Sequence, residues 1–204
     1  TVIEYVKLYD RFSDYGKDEA EGKAKLTSVR DSVKTLSLCK TINQTLTQKQ
    51  KVVVLIKLLE LDATGKTFSS QRKDIINTVS SAFNIGQAEY NAIEKFVIDD
   101  GSLALDVQEI LVVNNQPSSA YKFCKHFQGE LTGTLLFLRV PSVEMYFTKY
   151  VGAEANMLNG FVMESSRVYL FTHGSSIKAP SGEALYYSDI VAHFHDVIRT
   201  APLS

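Results

Sequence analysis

The chain has 204 residues, enough for one large domain or two small ones, and its 45% hydrophobic and 22% charged residues are typical of a folded globular protein. A formal net charge of -1 provides no bulk field that would attract nucleic acid or an anionic membrane surface. Because no run approaches the roughly 20 apolar residues of a membrane-spanning helix, we expect neither a nucleic-acid partner nor direct membrane insertion.

The cysteine pattern favours a cytoplasmic protein. Cys39 and Cys124 lie far apart and form no C-x-x-C motif, so the sequence predicts neither a zinc site nor a disulfide framework but two reduced thiols. Cys39 falls in an apolar stripe and is expected in the core. No signal peptide is recognisable, and the start at Thr1 and the end at Ser204 lead us to expect a fragment of a longer protein.

The first hundred residues show helical periodicity. A short first helix is predicted from Val2 to Phe12, followed by a polar connection over 14–25. The predicted helices then lie near 26–46, 48–61, 70–83 and 87–98. The first of these has a stripe at helical spacing, formed by Leu26, Val29, Val33, Leu36, Cys39, Ile42 and Leu46. Thr47 followed by Gln48 and Gln50 is typical of a helix start, and NIG at 84–86 is typical of a helix end.

The stretch VVVLIKLLELDATGKT, 52–67, invites comparison with a nucleotide-binding P-loop. That motif requires a glycine five positions before Gly65, and Glu60 stands there instead. The apolar run is also too long for a strand and is apolar nearly all round, as in a buried helix. We therefore expect no nucleotide hydrolysis and no cofactor in this chain.

From about residue 105 the periodicity is that of strands. Strands are predicted in LDVQEILVV, YKFCKHF, TLLFLRV, VEMYFTKYV and RVYLFT. Asn159-Gly160 between apolar pairs predicts a two-residue hairpin. The segment YYSDIVAHF fits either a strand or a short helix capped by Ser188. The change of period predicts an α+β fold with a helical domain over 1–101 and a small antiparallel β domain over 102–204.

Catalytic and metal-binding motifs are not recognisable. The chain has no G-x-S-x-G and no H-E-x-x-H motif, so we expect no enzyme activity. His193-x-His195 would supply only two ligands where zinc needs three or four, and His126 in its aromatic strand is expected to pack. Lys66 next to the Asp62-x-x-Gly65 turn disfavours calcium. No metal site is therefore predicted.

Four basic residues of the β half could bind a phosphopeptide if they converged, although such residues more often line a solvated strand face. They are Arg139, Lys149, Arg167 and Lys178.

Two segments of the chain resemble known protein families. LTQKQKVVVLIKLLELDATGKTFSSQRKDIINTVSSAFNI resembles the helical TerB-like fold of tellurium-resistance proteins, with a buried helix, an Asp-x-x-Gly turn, a capped second helix and an F-N-I ending.

The second segment, LNGFVMESSRVYLFTHGSSIKAPSGEALYYSDIV, resembles a region of large Bacteroidetes ABC-type ATP-binding proteins, where it follows the helical module and precedes the nucleotide-binding domain. Its order after the TerB-like segment matches that family. The resemblance implies a parent with an ATPase domain using ATP and Mg, a membrane-spanning region, and β segments similar to forkhead-associated (FHA) domains.

Departures from these families limit what the resemblance implies. Gln71, Arg72 and Lys73 stand where TerB-like metal sites carry acidic residues, and the Gly-Arg and Ser-x-x-His pairs with which FHA domains read phosphothreonine are absent. The β half therefore resembles a scaffold more than a phosphate reader. Its candidate interaction residues are Arg139, Arg167, Asn159, Ser175 and Ser176.

The function expected from the sequence is that of a non-catalytic, cytoplasmic regulatory or assembly module of an ABC-type ATP-binding protein, the parent being attached to the inner membrane. It would act by contact with a protein partner or with other domains of the parent chain. One alternative is a degenerate phosphopeptide or small-ligand site in the β half. Another is a TerB-like, metal-dependent stress-response module in the helical half.

Overall fold

The computed structural model describes residues 24–64, 70–99, 107–121, 124–180 and 184–195, and for residues 24–32, 64 and 70–72 it describes the backbone alone. The chain divides into two compact units, Thr1–Ile98 and Asp99–Ser204, here called the helical unit and the β unit. Helices occupy the first and two mainly antiparallel sheets the second, which confirms the predicted α+β class. The predicted helix at Val2–Phe12 lies outside the described residues.

Four helices of the helical unit are described. They are α1 (Ala24–Thr45), α2 (Gln48–Thr64), α3 (Ser70–Ala82) and α4 (Gln87–Ile98). Helix α1 packs on α3, and α2 packs on both α3 and α4. The run that resembles the strand of a P-loop is therefore helical through Thr64. The GKT tripeptide itself, 65–67, lies outside the described residues.

Side chains satisfy the polar groups at the ends of these helices. At the start of α2, the Thr47 N–H donates to Gln50 Oε1 (2.9 Å), and the Gln50 N–H donates to Thr47 Oγ1 (3.4 Å). This reciprocal pair is a capping box, and it begins the helix where the sequence predicted a helix start. At the end of α3, Asn84 adopts a positive φ of 57°, and Gln48 donates to the carbonyl of Phe83 (2.9 Å). A side chain of α2 thus satisfies the backbone carbonyl of Phe83, just after the end of α3.

The buried stripe of α1 differs from the predicted one. Val33 and Leu36 are 62% and 49% exposed, whereas Thr35 is buried together with Cys39 and Ile42. Residues 35, 39 and 42 follow helical spacing, so the inward face is turned by one residue from the apolar stripe over this part of the helix. The prediction was wrong for Val33 and Leu36 because a threonine occupies the inward position, which hydropathy alone does not reveal.

Thiol reactivity gives a first test of this packing. Cys39 has no exposed surface, and burial raises its pKa to about 11, whereas Cys124 is partly exposed. Since the thiolate is the reactive form, we expect iodoacetamide at pH 8 to alkylate Cys124 and to spare Cys39 in the folded chain. Peptide mass mapping after brief alkylation measures both sites. Equal modification would contradict the buried position of Cys39, and alkylation in denaturant is the control that shows both thiols are reactive.

Nine strands and one helix of the β unit are described. They are β1 (Ile110–Asn114), β2 (Lys125–Gln128), β3 (Thr134–Val140), β4 (Met145–Val151), β5 (Met157–Leu158), β6 (Phe161–Val162), β7 (Val168–Phe171), β8 (Ser176–Lys178), β9 (Ala184–Tyr186) and α5 (Tyr187–His195). One sheet has the order β2-β1-β3-β4-β7, and the other has the order β6-β5-β8-β9. The segment YYSDIVAHF, for which the sequence predicted either a strand or a short helix, lies mostly in helix α5.

Strand β2 departs from the predicted antiparallel arrangement. It pairs in parallel with β1, with Leu111 opposite Lys125 and Asn114 opposite Gln128. The described part of the segment between the two strands contains a 3-10 turn at Ser118–Ala120, in place of the tight hairpin that an antiparallel pair would use. All five residues of β1 are buried, so this strand lacks the alternation of exposure that its sequence predicted.

The Asn159-Gly160 turn confirms the predicted hairpin between β5 and β6. Both residues have positive φ, 52° and 87°, as a type I′ turn requires. The core of the β unit lies between the two sheets, where β3 contributes Leu135 and Phe137, β8 contributes Ile177, and α5 contributes Ile190 and Phe194. Helix α5 therefore belongs to the core, although it starts directly after an edge strand.

Among the described residues, no helix combines the length and the apolar composition that crossing a bilayer requires.

Candidate functional site

A cleft of about 600 Å³ opens in the β unit between the two sheets and helix α5. Each sheet contributes an edge strand to it, β2 from the larger sheet and β9 from the smaller one. Its apolar lining consists of Val113, Phe127, Leu131, Leu135, Ile177, Ala179, Ala184, Leu185 and Ile190. Gln128, Gly129, Glu130, Asp189 and His193 complete the described lining.

Helix α5 is anchored at both ends, and it thereby fixes one wall of the cleft. At its start, the Tyr186 N–H donates to Asp189 Oδ2 (3.3 Å), which satisfies a backbone donor and places a carboxylate where the helix dipole favours it. At its end, Lys125 on β2 donates from Nζ to the carbonyl of Phe194 (2.6 Å). The rings of Phe127 and His193 also meet, with centroids 4.8 Å apart. The edge strand β2 and the helix are thus held together across the cleft.

The charge of the cleft is acidic. Glu130 and Asp189 belong to its lining, and the described lining contains no lysine or arginine. Lys125, on the neighbouring strand, directs its ammonium group to the end of α5, where it also lies 5.5 Å from the Phe194 ring centroid. A phosphate or carboxylate would meet no described cation in the cleft, whereas a neutral or cationic group would not be repelled.

The two candidate arginines lie apart and are each engaged locally. Arg139 donates to Glu144 Oε1 (2.8 Å), and Arg167 donates to Glu164 Oε1 (2.8 Å). Arg139 on β3 pairs with Tyr146 on β4, and Tyr146 pairs with Phe171 on β7. Arg167 lies four positions before Phe171, so the two arginines are separated both across the sheet and along it. Neither arginine belongs to the described lining of the cleft. Their role in binding stays a prediction, and the structure does not bring them together.

Asn159, Ser175 and Ser176 do lie together. Asn159 Oδ1 accepts the Ser176 N–H (2.9 Å), and its Nδ2 donates to Ser175 Oγ (3.4 Å). Ser175 is 3% exposed, and its hydroxyl also accepts the N–H of Thr172 (3.2 Å). These contacts fasten the β5–β6 turn to strand β8, which accounts for the N-G and G-S-S-I strings without a ligand.

Of the other two basic candidates, Lys149 departs from the solvated strand face that the sequence favoured, whereas Lys178 agrees with it. Lys149 on β4 has no exposed surface, and its Nζ donates to the backbone carbonyl of Asp99. Lys178 on β8 is exposed. A fully buried ammonium group is compatible with folding only when it is hydrogen-bonded, so Lys149 has a structural environment and not that of a surface phosphate ligand.

No group of three or more His, Cys, Asp and Glu side chains in the described part of the chain has the arrangement of a metal site. His193 lines the cleft and His195 is exposed, both on α5. In the helical unit, Asp62 is 4% exposed, and Lys73 lies 3.8 Å from Glu94 Oε1. The alternative of a TerB-like metal module stays an untested hypothesis.

His126 is the residue that the sequence interpretation underestimated. It packs as expected, stacked on Tyr121, but both of its ring nitrogens also contact side chains, Ser118 at 2.8 Å and Asn114 at 3.0 Å. The spacing of Asn114, Ser118 and His126 along the chain matches no catalytic motif. Only the parallel pairing of β1 and β2 reveals that His126 lies next to Asn114.

Comparison with known proteins adds no assignment, because the chain matches no protein family, no curated protein and no solved structure.

Proposed function

We propose that the chain is a binding module, and that the cleft of the β unit receives an apolar group that is either uncharged or attached to a positive charge. The observation that carries this proposal is the cleft itself. Its volume of about 600 Å³ lies within the roughly 300–1,000 Å³ of ligand sites, and a mostly apolar lining with a few polar groups is typical of such sites.

The charge of the lining selects among the alternatives. A phosphopeptide site would need a bidentate arginine or several lysines, and the described lining contains acidic groups instead. Arg139 and Arg167, the arginines with the chemistry to read phosphate, are paired with Glu144 and Glu164. The acidic cleft therefore favours an apolar or cationic ligand over the phosphopeptide alternative.

A side chain of a protein partner, or of another domain of the parent chain, is the occupant we favour. The resemblance to ABC-type ATP-binding proteins supports this choice, because it implies a regulatory or assembly module. A small ligand is the second candidate, and the volume of the cleft is compatible with it. Mass spectrometry of the purified chain after denaturation separates the two, since a tightly bound small ligand would be released and detected.

A matched pair of aromatic probes tests the proposal. Benzylamine and benzoate have similar size and shape but opposite charge. We expect benzylamine to bind at millimolar concentration, about -4 kcal/mol, and to shift the NMR resonances of Ile177, Leu185 and Ile190. Benzoate is expected to bind at least tenfold more weakly because Glu130 and Asp189 repel it.

Blocking the cleft supplies the control. Ala184→Trp places a large ring on a lining residue and should abolish the shifts caused by benzylamine, whereas Tyr186→Trp on the same strand alters a 55% exposed position outside the described lining and should preserve them. The proposal is contradicted if benzylamine leaves the cleft resonances unchanged in the unmodified chain. Tighter binding of benzoate than of benzylamine would reject the acidic character that we assign to the cleft.

A further inference from the structure

Ser118, His126 and Asn114 form a continuous hydrogen-bonded chain on the β1–β2 side of the larger sheet. Ser118 Oγ lies 2.8 Å from His126 Nδ1, and His126 Nε2 lies 3.0 Å from Asn114 Oδ1. The hydroxyl end of the chain is exposed, and the amide end is buried, with Asn114 only 3% exposed. A hydroxyl, an imidazole and an orienting group in this order is the arrangement that activates a serine nucleophile.

The direction of each proton follows from the contacts of Asn114. Its Oδ1 accepts the backbone N–H of Gln116 (3.0 Å), and its Nδ2 donates to Tyr121 Oη (2.6 Å) and Thr134 Oγ1 (3.3 Å). The atom that faces His126 is therefore the amide oxygen, which can only accept a hydrogen bond. His126 must carry its proton on Nε2, and Nδ1 is left as an acceptor for the Ser118 hydroxyl proton.

The imidazole is held in that orientation. Tyr121 stacks on it with centroids 4.3 Å apart and planes 4° from parallel, and the Tyr121 hydroxyl is bonded to the same Asn114 amide. Burial lowers the pKa of His126, so the ring is neutral at pH 7 and remains able to accept a proton. Asn114 acts through His126 and is a positioning residue.

The closure of the turn does not depend on the Ser118 hydroxyl. Backbone bonds from Ala120 to Pro117 (3.0 Å) and from Tyr121 to Ser118 (3.0 Å) hold the 3-10 turn. The hydrogen bond from the Gln116 N–H to Asn114 Oδ1 holds the residues between β1 and this turn. The exposed Ser118 hydroxyl therefore contributes little to stability, because its hydrogen bond to the His126 ring only replaces a hydrogen bond to water.

We propose that Ser118 is a nucleophilic serine that accepts acyl groups from carboxylic esters, with His126 as its general base. Ser118 Oγ attacks the ester carbonyl and forms the new C–O bond, while its proton passes to His126 Nδ1. The ester C–O bond then breaks, and the same proton passes to the leaving alcohol. Water then attacks the acyl carbonyl while Nδ1 takes one of its protons, the bond between the carbonyl carbon and Ser118 Oγ breaks, and the proton returns from Nδ1 to Oγ, which releases the carboxylic acid and restores the serine. This reactivity lies outside the proposed binding function and does not depend on the cleft.

The test uses a fluorophosphonate probe on the intact chain, because such a probe reacts with a serine hydroxyl by displacement of fluoride only when that hydroxyl is activated. We expect mass mapping to locate the label on Ser118. Ser118→Ala should lose the label, and the matched control Ser119→Ala, which removes the adjacent exposed hydroxyl, should keep it at the same rate. Removal of the base in His126→Gln should slow labelling about 100-fold.

The pH profile distinguishes an activated serine from a turn residue. Labelling of the unmodified chain should be constant above pH 7 and should fall in acid, with a midpoint below the ordinary histidine value of 6.5. The inference is overturned if the folded chain is not labelled at Ser118, or if the rate is the same at pH 5 and pH 8. Both measurements use the unmodified chain, so they remain decisive even if the His126→Gln chain fails to fold.

Discussion

Replacing Phe137 with alanine is expected to lower the free energy of unfolding of the β unit by about 3–5 kcal/mol. Phe137 lies on β3, the middle strand of the larger sheet, and has no exposed surface. Its ring meets the ring of Phe171 edge to face, with centroids 5.1 Å apart. The substitution removes this aromatic pair and leaves a cavity between the two sheets. The neighbouring side chains are already closely packed and cannot move into the cavity without strain.

Phe96→Ala is the matched substitution in the helical unit, where Phe96 on α4 is also fully buried. If the units are separate folding domains, as the change of periodicity predicts, calorimetry should show two transitions, with Phe137→Ala lowering one and Phe96→Ala lowering the other. A single two-state transition that both substitutions lower equally would contradict the prediction of two domains. Little or no loss of stability on Phe137→Ala would contradict the described core.

Gly133→Ala should destabilise the β unit by about 2–5 kcal/mol, combining about 1–2 kcal/mol for left-handed backbone with about 1–3 kcal/mol for overpacking. Gly133 precedes β3 and has a φ of +85°. A Cβ atom there would lie 2.6 Å from the carbonyl oxygen of Val151 and 2.8 Å from Tyr150 Oη. Tyr150 cannot yield, because its hydroxyl donates to the Thr132 carbonyl (2.8 Å) and accepts the Glu154 N–H (3.1 Å).

Gly160→Ala is the control, because it separates backbone strain from crowding. Gly160 has nearly the same φ, +87°, but a Cβ atom there would meet nothing within 4 Å. Only the backbone term of about 1–2 kcal/mol should remain. Chemical denaturation of both variants measures the difference. Equal decreases in the free energy of unfolding for Gly133→Ala and Gly160→Ala would show that crowding against Val151 and Tyr150 does not destabilise the Gly133→Ala chain.

Features set by neighbouring residues were the most predictable from the sequence. The helix start at Thr47 and the Asn159-Gly160 hairpin each depend on residues close in the chain, and both predictions are confirmed. Helix α4 lies at the predicted residues, because Gly86 precedes a continuous apolar face. In these cases local hydrogen bonds and backbone conformation decide the structure, so a short window of sequence contains the information.

Features set by long-range pairing were not predictable. The parallel pairing of β1 and β2 could not be predicted from either strand, because neither the mainly apolar ILVVN nor the mainly polar KHFQ specifies the direction of its neighbour. The cleft depends on residues from Val113 to His193, separated by 80 positions, so no local motif indicates it. Arg139 and Arg167 are candidates because of their charge, yet glutamates five positions after and three positions before them provide their partners.

Because helix α5 forms one wall of the cleft, the cleft exists only while the nine residues of this helix are folded and docked on the core. A helix of nine residues, Tyr187–His195, is too short to be stable in water by itself, so it persists only while Ile190 and Phe194 are packed in the core and Lys125 bonds its last turn. Undocking of α5 removes one wall of the cleft. An occupant that binds only the docked form would raise the ratio of docked to undocked helix by the factor 1 + [L]/Kd. Occupancy of the cleft and docking of this helix are therefore one equilibrium.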